Sequence, residues 1–311
     1  MGWSKLAARA VPGDVWAGLF VGLVTLDVVQ RVDRVPGPND KVVASSVDIA
    51  AGGPATNAAV AFAALGGKST LLTAVGVGPI QSVVSDDLSR HAVTVVDAAT
   101  AGHPGPAISA VSVLAATGER SVVSRNAEQA YASVPTDLPD LVGAADVLLV
   151  DGHLAGLARA AVAAAGAARI PVVYDGGSWK PPFADVLSSI DAAVCSGDFT
   201  VPSCASAEES AQALLTMGIP FAAFTDGPRP IRWWTEHDAG TVEAATVTAR
   251  DTLGAGDAFH GTFAFAIAAG LDQVRALRLA ADVAAVRVEH VGPRAWLSDP
   301  RLQSLAAQVA R

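Results

Sequence analysis

In the stretch "DTLGAGDAFHG", residues 251–261, Asp257 follows a glycine-spaced turn and opens the run Ala258–Gly270, which holds no Asp, Glu, Lys or Arg. A carboxylate buried there without a partner would be costly. Gly254, Ala255 and Gly256 expose successive backbone N–H groups at a helix start, which suits phosphate or developing negative charge. A carboxylate beside that anion makes sense if it takes the proton of a hydroxyl attacking the phosphate. The competing reading is an ordinary first-turn Asp favoured by the helix dipole. A second stretch, "AAGGPATNAAVAFAALGG" at 50–67, has the same architecture. Gly52 and Gly53 allow close backbone approach, and a helix starts near Ala55 and stops at Gly66-Gly67. Asn57 falls in its first turn, where an amide can bond ligand hydroxyls as donor and acceptor, or else satisfy local backbone groups.

Three other motifs fail. "GGKST" at 66–70 ends like a phosphate-binding P-loop, but the first glycine would have to be residue 62, which is Phe62. "GVGPIQ" at 76–81 and "GAGDAF" at 254–259 both lack the third glycine of a dinucleotide fingerprint, so a nicotinamide site is not supported. A formal net charge of −9 with no Lys/Arg run argues against a nucleic-acid surface. Cys195 and Cys204 lack zinc-type pairing with histidines and read as reduced thiols of a cytoplasmic protein. The apolar stretch Val15–Leu26 imitates a signal-peptide core, but Asp27, Gln30, Arg31 and Asp33 follow instead of a cleavage site. It is also too short to span a bilayer, and reads as the first buried strand.

The elements that must position these residues are legible from hydrophobicity. Continuous apolar runs at Trp16–Val24, Ser69–Val75, Asp146–Val150, Pro171–Tyr174, Ala192–Cys195 and Pro220–Phe224 indicate strands buried on both faces, as in a parallel sheet. Helix-like segments lie between them at Ala55–Leu65, Gly156–Ala168, Ala207–Met217, Asp257–Ala269 and Leu271–Val288. Such alternation predicts an α/β sandwich with its site at the carboxyl ends of the strands. Asp27–Ile49 and Ala107–Arg125 break the rhythm: shorter strands, the second pair folded about Ala116-Thr117-Gly118-Glu119, with the alternating pattern "SAVSVLA". A small exposed sheet acting as a lid fits them. No linker or repeat divides the rest, so residues 1–311 are expected to form one domain.

The two glycine-containing stretches resemble the paired signatures of the ribokinase-like (PfkB) carbohydrate kinases, in the right order. The likeness runs from "VGLVTLDVV" through "FTDG" to "VEHVGPR". It implies a three-layer α/β/α sandwich around a mostly parallel sheet with a β-lid, ATP as phosphoryl donor, Mg²⁺, and a hydroxyl acceptor on a sugar or nucleoside. K⁺ is a further candidate cation, and a homodimer through the lid is expected.

Through that resemblance Asp257 is the catalytic base, and Gly254, Ala255 and Gly256 bind the transferring group. Thr25, Asp27, Gly53 and Asn57 fall where family members bind acceptor hydroxyls. Asp151 and His153 end another strand near the expected acceptor pocket and are weaker candidates. Ser196, Thr225 and Gly227 match the nucleotide side, together with Gly254 and Gly256. Asp251 matches a residue that helps hold a monovalent cation.

The sequence also departs from the family. Where an N-x-x-E motif commonly organises magnesium, this chain has "CSGDFT", with Ser196 for Asn and Phe199 for Glu. Asp198, one position away, is the substitute candidate. Pro228 and Pro230 stiffen the nucleotide-side loop. Trp233 and Trp234 read as part of the strand beyond it, with adenine stacking as the other reading. The expectation is ATP-dependent phosphorylation of a small sugar, favoured as neutral because the acceptor motifs offer hydroxyl-binding groups. A nucleoside kinase and a non-catalytic sugar-binding regulatory protein are the alternatives.

Overall fold

The computed structural model describes residues 15–125 and 132–309. Nine strands form one sheet in the order β13-β12-β11-β10-β9-β8-β1-β4-β5. Along the chain these are β1 (Ala17–Val21), β4 (Lys68–Thr73), β5 (Val93–Asp97), β8 (Val147–Val150), β9 (Val172–Gly176), β10 (Ala192–Ser196), β11 (Ala222–Asp226), β12 (Arg229–Trp234) and β13 (Ala239–Val242). Strands β5 to β11 run parallel across the sheet, and β12 and β13 add an antiparallel edge. Four further strands, β2 (Thr25–Val32), β3 (Ser46–Gly52), β6 (Ala107–Leu114) and β7 (Arg120–Ser124), make a separate sheet in the order β3-β2-β6-β7.

Burial on both faces explains the continuous apolar strands. Phe20 of β1 and Val147 and Leu149 of β8 pack into one core, with α1 (Pro54–Ala64), α2 (Pro79–Arg90), α6 (Ala255–Ala268), α7 (Gln273–Val288) and α8 (Arg301–Ala306). Leu19, Val21, Leu148 and Val150 point the other way, towards α3 (Leu138–Gly143), α4 (Ala155–Ala168) and α5 (Ala207–Thr216). The result is three layers, as expected. Among the described residues, no helix is long and apolar enough to cross a membrane.

The strand order reverses at β1, whose two neighbours are β4 and β8. In such sheets the crevice beyond the carboxyl ends at the reversal is where ligands bind.

Val15–Leu26 is not one strand. β1 ends at Val21, and β2 of the small sheet begins at Thr25. The cause is Gly22-Leu23-Val24, whose backbone is taken by other elements. Leu23 N donates to buried Asp151 (2.9 Å), while the Gly22 and Leu23 carbonyls accept from Thr73 and Thr56 (2.6 and 2.8 Å). Thr25 and Asp27 therefore ride on the small sheet, with Asp27 opposite Ala50 and Ser109.

Trp233 stacks on Phe221 at a centroid distance of 6.1 Å, and Trp234 meets Phe224 edge-on at 6.0 Å. Both belong to strand β12, and these contacts pack it onto the sheet.

Candidate active site

Helix α6 is apolar nearly all round; every residue from Ala258 to Ile267 is buried. A helix of that kind must sit inside the molecule, here between α1, α7 and the sheet. Its crossing with α1 is close. A Cβ on Gly261 would overlap the Ala58 carbonyl, so only glycine lets the two backbones meet there. This contact sets the amino ends of both helices side by side.

The consequence is that Asn57 and Asp257, 200 positions apart, share a hydrogen bond: Asn57 Nδ2 donates to Asp257 Oδ2 at 2.8 Å. Gly254 caps α6 in the left-handed region, with φ 70°. Ahead of it, Thr252 donates through its hydroxyl to the Gly118 carbonyl (3.0 Å), joining the turn to the small sheet's 116–119 loop. A cavity opens at this junction, lined among others by Asp27, Asn57, Gly254, Leu253, Arg287 and Arg294.

Burial dominates the electrostatics. It pushes the Asp257 carboxyl up to about 7, with the nearby Asp175 adding to the rise and the Asn57 amide opposing it. Asp27 is also raised by burial, against hydrogen bonds from Thr25 and Ser109 and the charge of Arg294. Thr25 Oγ1 donates to Asp27 Oδ1 at 2.6 Å, and Asp27 lines the cavity.

Beneath Asp257 lies a second titrating pair that the sequence reading passed over. His260 Nε2 meets the Val194 carbonyl at 3.0 Å, and Nδ1 lies 3.3 Å from Asp175 Oδ2. A carbonyl can only accept, so Nε2 carries the proton. Burial keeps the imidazole neutral. Asp175 is pushed up to about 8 by burial and by Asp151, against Lys180. The neutral imidazole therefore turns an unprotonated Nδ1 towards a carboxyl whose pKa burial raises, with no hydrogen bond between them. A histidine inside a run without other charged residues was the available signal.

Arg294, in the stretch "VGPR", is a further site residue that no local pattern marks. Its guanidinium donates to Asn57 Oδ1 (3.0 Å), the Ala51 carbonyl (2.6 Å) and Asp87 Oδ2 (3.1 Å). It thereby fixes the orientation of the Asn57 amide, whose nitrogen must then face Asp257. Burial works against the Asp87 charge, but His91, Arg294 and the Ala51 amide hold its carboxyl down at about 2.

The sequence candidates divide into three groups. Asp27, Asn57 and Gly254 line the cavity, Thr25 bonds Asp27, and Asp257, Ala255 and Gly256 form the first turn beside it. Gly53 is the cap of α1. Asp151 has a different occupation. Its oxygens accept from the amides of Leu23, Ala55 and His153 (2.9, 3.2 and 2.8 Å), tying β8 to the start of α1. His153 is held neutral by burial despite Asp151. Neither residue lines the cavity.

Ser196, Thr225 and Gly227 lie at the adjacent carboxyl ends of β10 and β11, where Ser196 pairs with Thr225. Asp198 is exposed on the turn after β10, its amide donating to Ser196 Oγ at 3.0 Å. Phe199 is buried instead among Tyr174, Trp179 and Phe224. Among the described residues no group of three or more His, Cys, Asp or Glu could hold a metal by itself. Magnesium held chiefly by phosphates and water needs only one or two carboxylates, and exposed Asp198 fits that demand.

Residues 19–300 match the model of the pfkB family carbohydrate kinases, and the chain belongs to that family. It is 23% identical to the ribokinase of Lactococcus lactis over 302 residues, covering 93% of this chain and 95% of that one. Among solved structures, a protein from Agrobacterium tumefaciens provisionally called a ribokinase superposes with TM-score 0.79 at 27% identity, covering 95% and 98% of the two chains. Arabidopsis thaliana ribokinase complexed with ribose and ATP gives TM-score 0.72 at 18% identity, covering 96% and 99%. Fold and family together make this chain an ATP-dependent carbohydrate kinase.

Proposed function

We propose that the protein transfers the γ-phosphoryl group of ATP to a hydroxyl of a small neutral sugar, with Asp257 as general base. The observation that carries this reading is the Asn57–Asp257 hydrogen bond at the amino end of α6, beside the cavity that Asp27 lines. A partly buried carboxyl near 7 is matched to accepting a proton at neutral pH. The amides of 254–256 lie where charge develops on the transferring group. Asp27 and the Asn57 amide orient the acceptor, and positioning dominates because the transition state for phosphoryl transfer is loose. Ser196, Thr225 and Gly227 would contact the nucleotide, and Asp198 would help hold, through water, a Mg²⁺ that would neutralise charge on the phosphates.

Charge balance supports a neutral acceptor. Two arginines line the cavity, yet Arg294 is paired with Asp87 and Arg287 lies against Asp251. Asp27 and Asp257 then stand on the acceptor side with the lid's Arg120 as the further cation acting on Asp257, and two carboxylates against one such cation disfavour a phosphorylated acceptor. The small sheet acts as the lid over this cavity. Its outer residues Val47, Ile49, Ile108 and Val123 are exposed, which suits pairing with the lid of a second copy.

The deciding experiment compares kcat/KM for ribose, fructose, adenosine and fructose 6-phosphate. Preference for ribose or fructose supports the reading. Preference for the phosphorylated sugar, or for adenosine, overturns it. Light scattering on the purified protein reports whether it is a dimer.

A further inference from the structure

The turn that presents Gly254 is held by a buried cluster whose charge exceeds what its hydrogen bonds require. Asp251 Oδ1 accepts from Leu253 N at 3.0 Å and Oδ2 from Gly292 N at 2.9 Å, clamping the 251–254 turn to the 288–292 turn. The amides of Arg250 and Asp251 reinforce the clamp by donating to the Val288 carbonyl (2.7 and 3.1 Å). Arg287, from the last turn of α7 and only 1% exposed, reaches into the same place. Its Nη1 donates to the His290 carbonyl at 2.9 Å, while Nη2 sits 3.7 Å from Asp251 Oδ2 with no hydrogen bond.

A fully buried guanidinium is expensive to desolvate and is not there for packing alone. It cannot shed its proton. Burial works against its charge and Arg294 adds to that, while Asp251 and Asp257 favour it. A carboxylate and a carbonyl oxygen at the end of a helix are what a hard cation prefers. Here a side chain already supplies the cation to those oxygens. The residues present therefore do not fit the added K⁺ that the resemblance suggested at Asp251. Each Asp251 oxygen already accepts from an amide, and a second positive charge would lie against the guanidinium.

We propose that Arg287 is a built-in cation: it replaces a monovalent metal ion in ordering the 251–254 turn, so the kinase works without K⁺. Arg287 is a positioning residue. It acts through Asp251 and the His290 carbonyl on the turn that sets the 254–256 amides and the start of α6. This inference rests on the kinase class and not on the identity of the acceptor.

The test uses the full chain, its Arg287→Ala and Arg287→Lys variants, and Tl⁺ as an NMR-visible probe for K⁺. Ribose phosphorylation and Tm are measured in K⁺ against tetramethylammonium at equal ionic strength. Wild type should show no bound Tl⁺ and the same rate and Tm in both salts. Arg287→Ala should lose about 10²-fold in rate, as expected when a reacting geometry is loosened from a distance. Added K⁺ or guanidinium should recover most of that loss and raise its Tm, and Tl⁺ should now bind. Arg287→Lys should keep most of the rate without K⁺. Activation of wild type by K⁺, bound Tl⁺ in wild type, or an Arg287→Ala variant that no cation restores would each overturn the proposal. If Arg287→Ala does not fold, the wild-type salt comparison and the lysine variant still decide. If ribose is not an acceptor, the Tl⁺ and Tm measurements decide without it.

Discussion

Asn57 and Asp257 come from opposite ends of the sequence, yet the Asn57 amide nitrogen donates to the Asp257 carboxylate at 2.8 Å. The amide is not free to turn over, because its oxygen accepts from Arg294 at 3.0 Å. The chain Asp87–Arg294–Asn57–Asp257 therefore runs from a strongly acidic carboxylate to one near neutrality, and its two middle members line the cavity.

Asp257 should be a stability liability. Its folded pKa is raised from the ordinary 3.8 to about 7. The sign follows: its contribution to folding is fully present below the unfolded value and is lost as pH rises through about 7. Asp257→Asn should thus stabilise the protein at pH 8, by on the order of 2 kcal/mol, with the gain vanishing near pH 4. Urea unfolding at the two pH values checks this. An unchanged or lower stability at pH 8 would mean that the carboxylate is not buried as described.

The same shift sets the acid limb of activity. A base must be ionised, so kcat/KM should fall about tenfold per pH unit below a pKa near 7, and the limb should be absent from the residual activity of Asp257→Asn. A pH–rate profile flat down to pH 5 contradicts the assignment.

Gly261 should tolerate no side chain. Gly261→Ala forces α1 and α6 apart at Ala58, and overpacking of this kind costs about 1–3 kcal/mol. Because Asn57 and Asp257 sit on the parted helices, the rate should drop further than the stability loss explains at saturating substrate. Thermal unfolding and kcat measured together separate the two effects.

Arg294→Met should remove the partner of Asp87 and release the Asn57 amide. Breaking a buried pair from one side costs about 3–5 kcal/mol. The Asp87 carboxyl is depressed to about 2, so its stabilisation exists above the unfolded value and is lost as pH falls through about 2. The variant should therefore lose more stability at pH 7 than at pH 2, alongside a raised acceptor KM. A KM matching wild type would detach Arg294 from the site.

Much of this was legible in the chain. The uniform apolar runs reflect strands covered on both faces, and the glycine turns before Ala55 and Asp257 mark two helix starts that do meet. Other features were not. The division of Val15–Leu26 into β1 and β2 depends on Thr56, Thr73 and Asp151 taking up the backbone of 22–23, partners remote in sequence. α2 is charged and polar over "SDDLSR", so its single buried stripe of Val84 and Leu88 gave little signal. Arg287, Arg294 and His260 act through contacts with residues 36 to 243 positions away or with turns whose shape no local pattern encodes. For Asp151, strand-end placement suggested the pocket, whereas its oxygens are consumed by three amides.

The central claim is that Asp257 takes the acceptor proton during phosphoryl transfer. Single-turnover transfer from ATP to the best acceptor, measured for wild type and Asp257→Asn with nucleotide affinity determined in parallel, tests it most directly. The account predicts a loss of about 10²–10⁴-fold in the transfer rate with ATP binding within a few-fold of wild type. Transfer at more than about a tenth of the wild-type rate would contradict it.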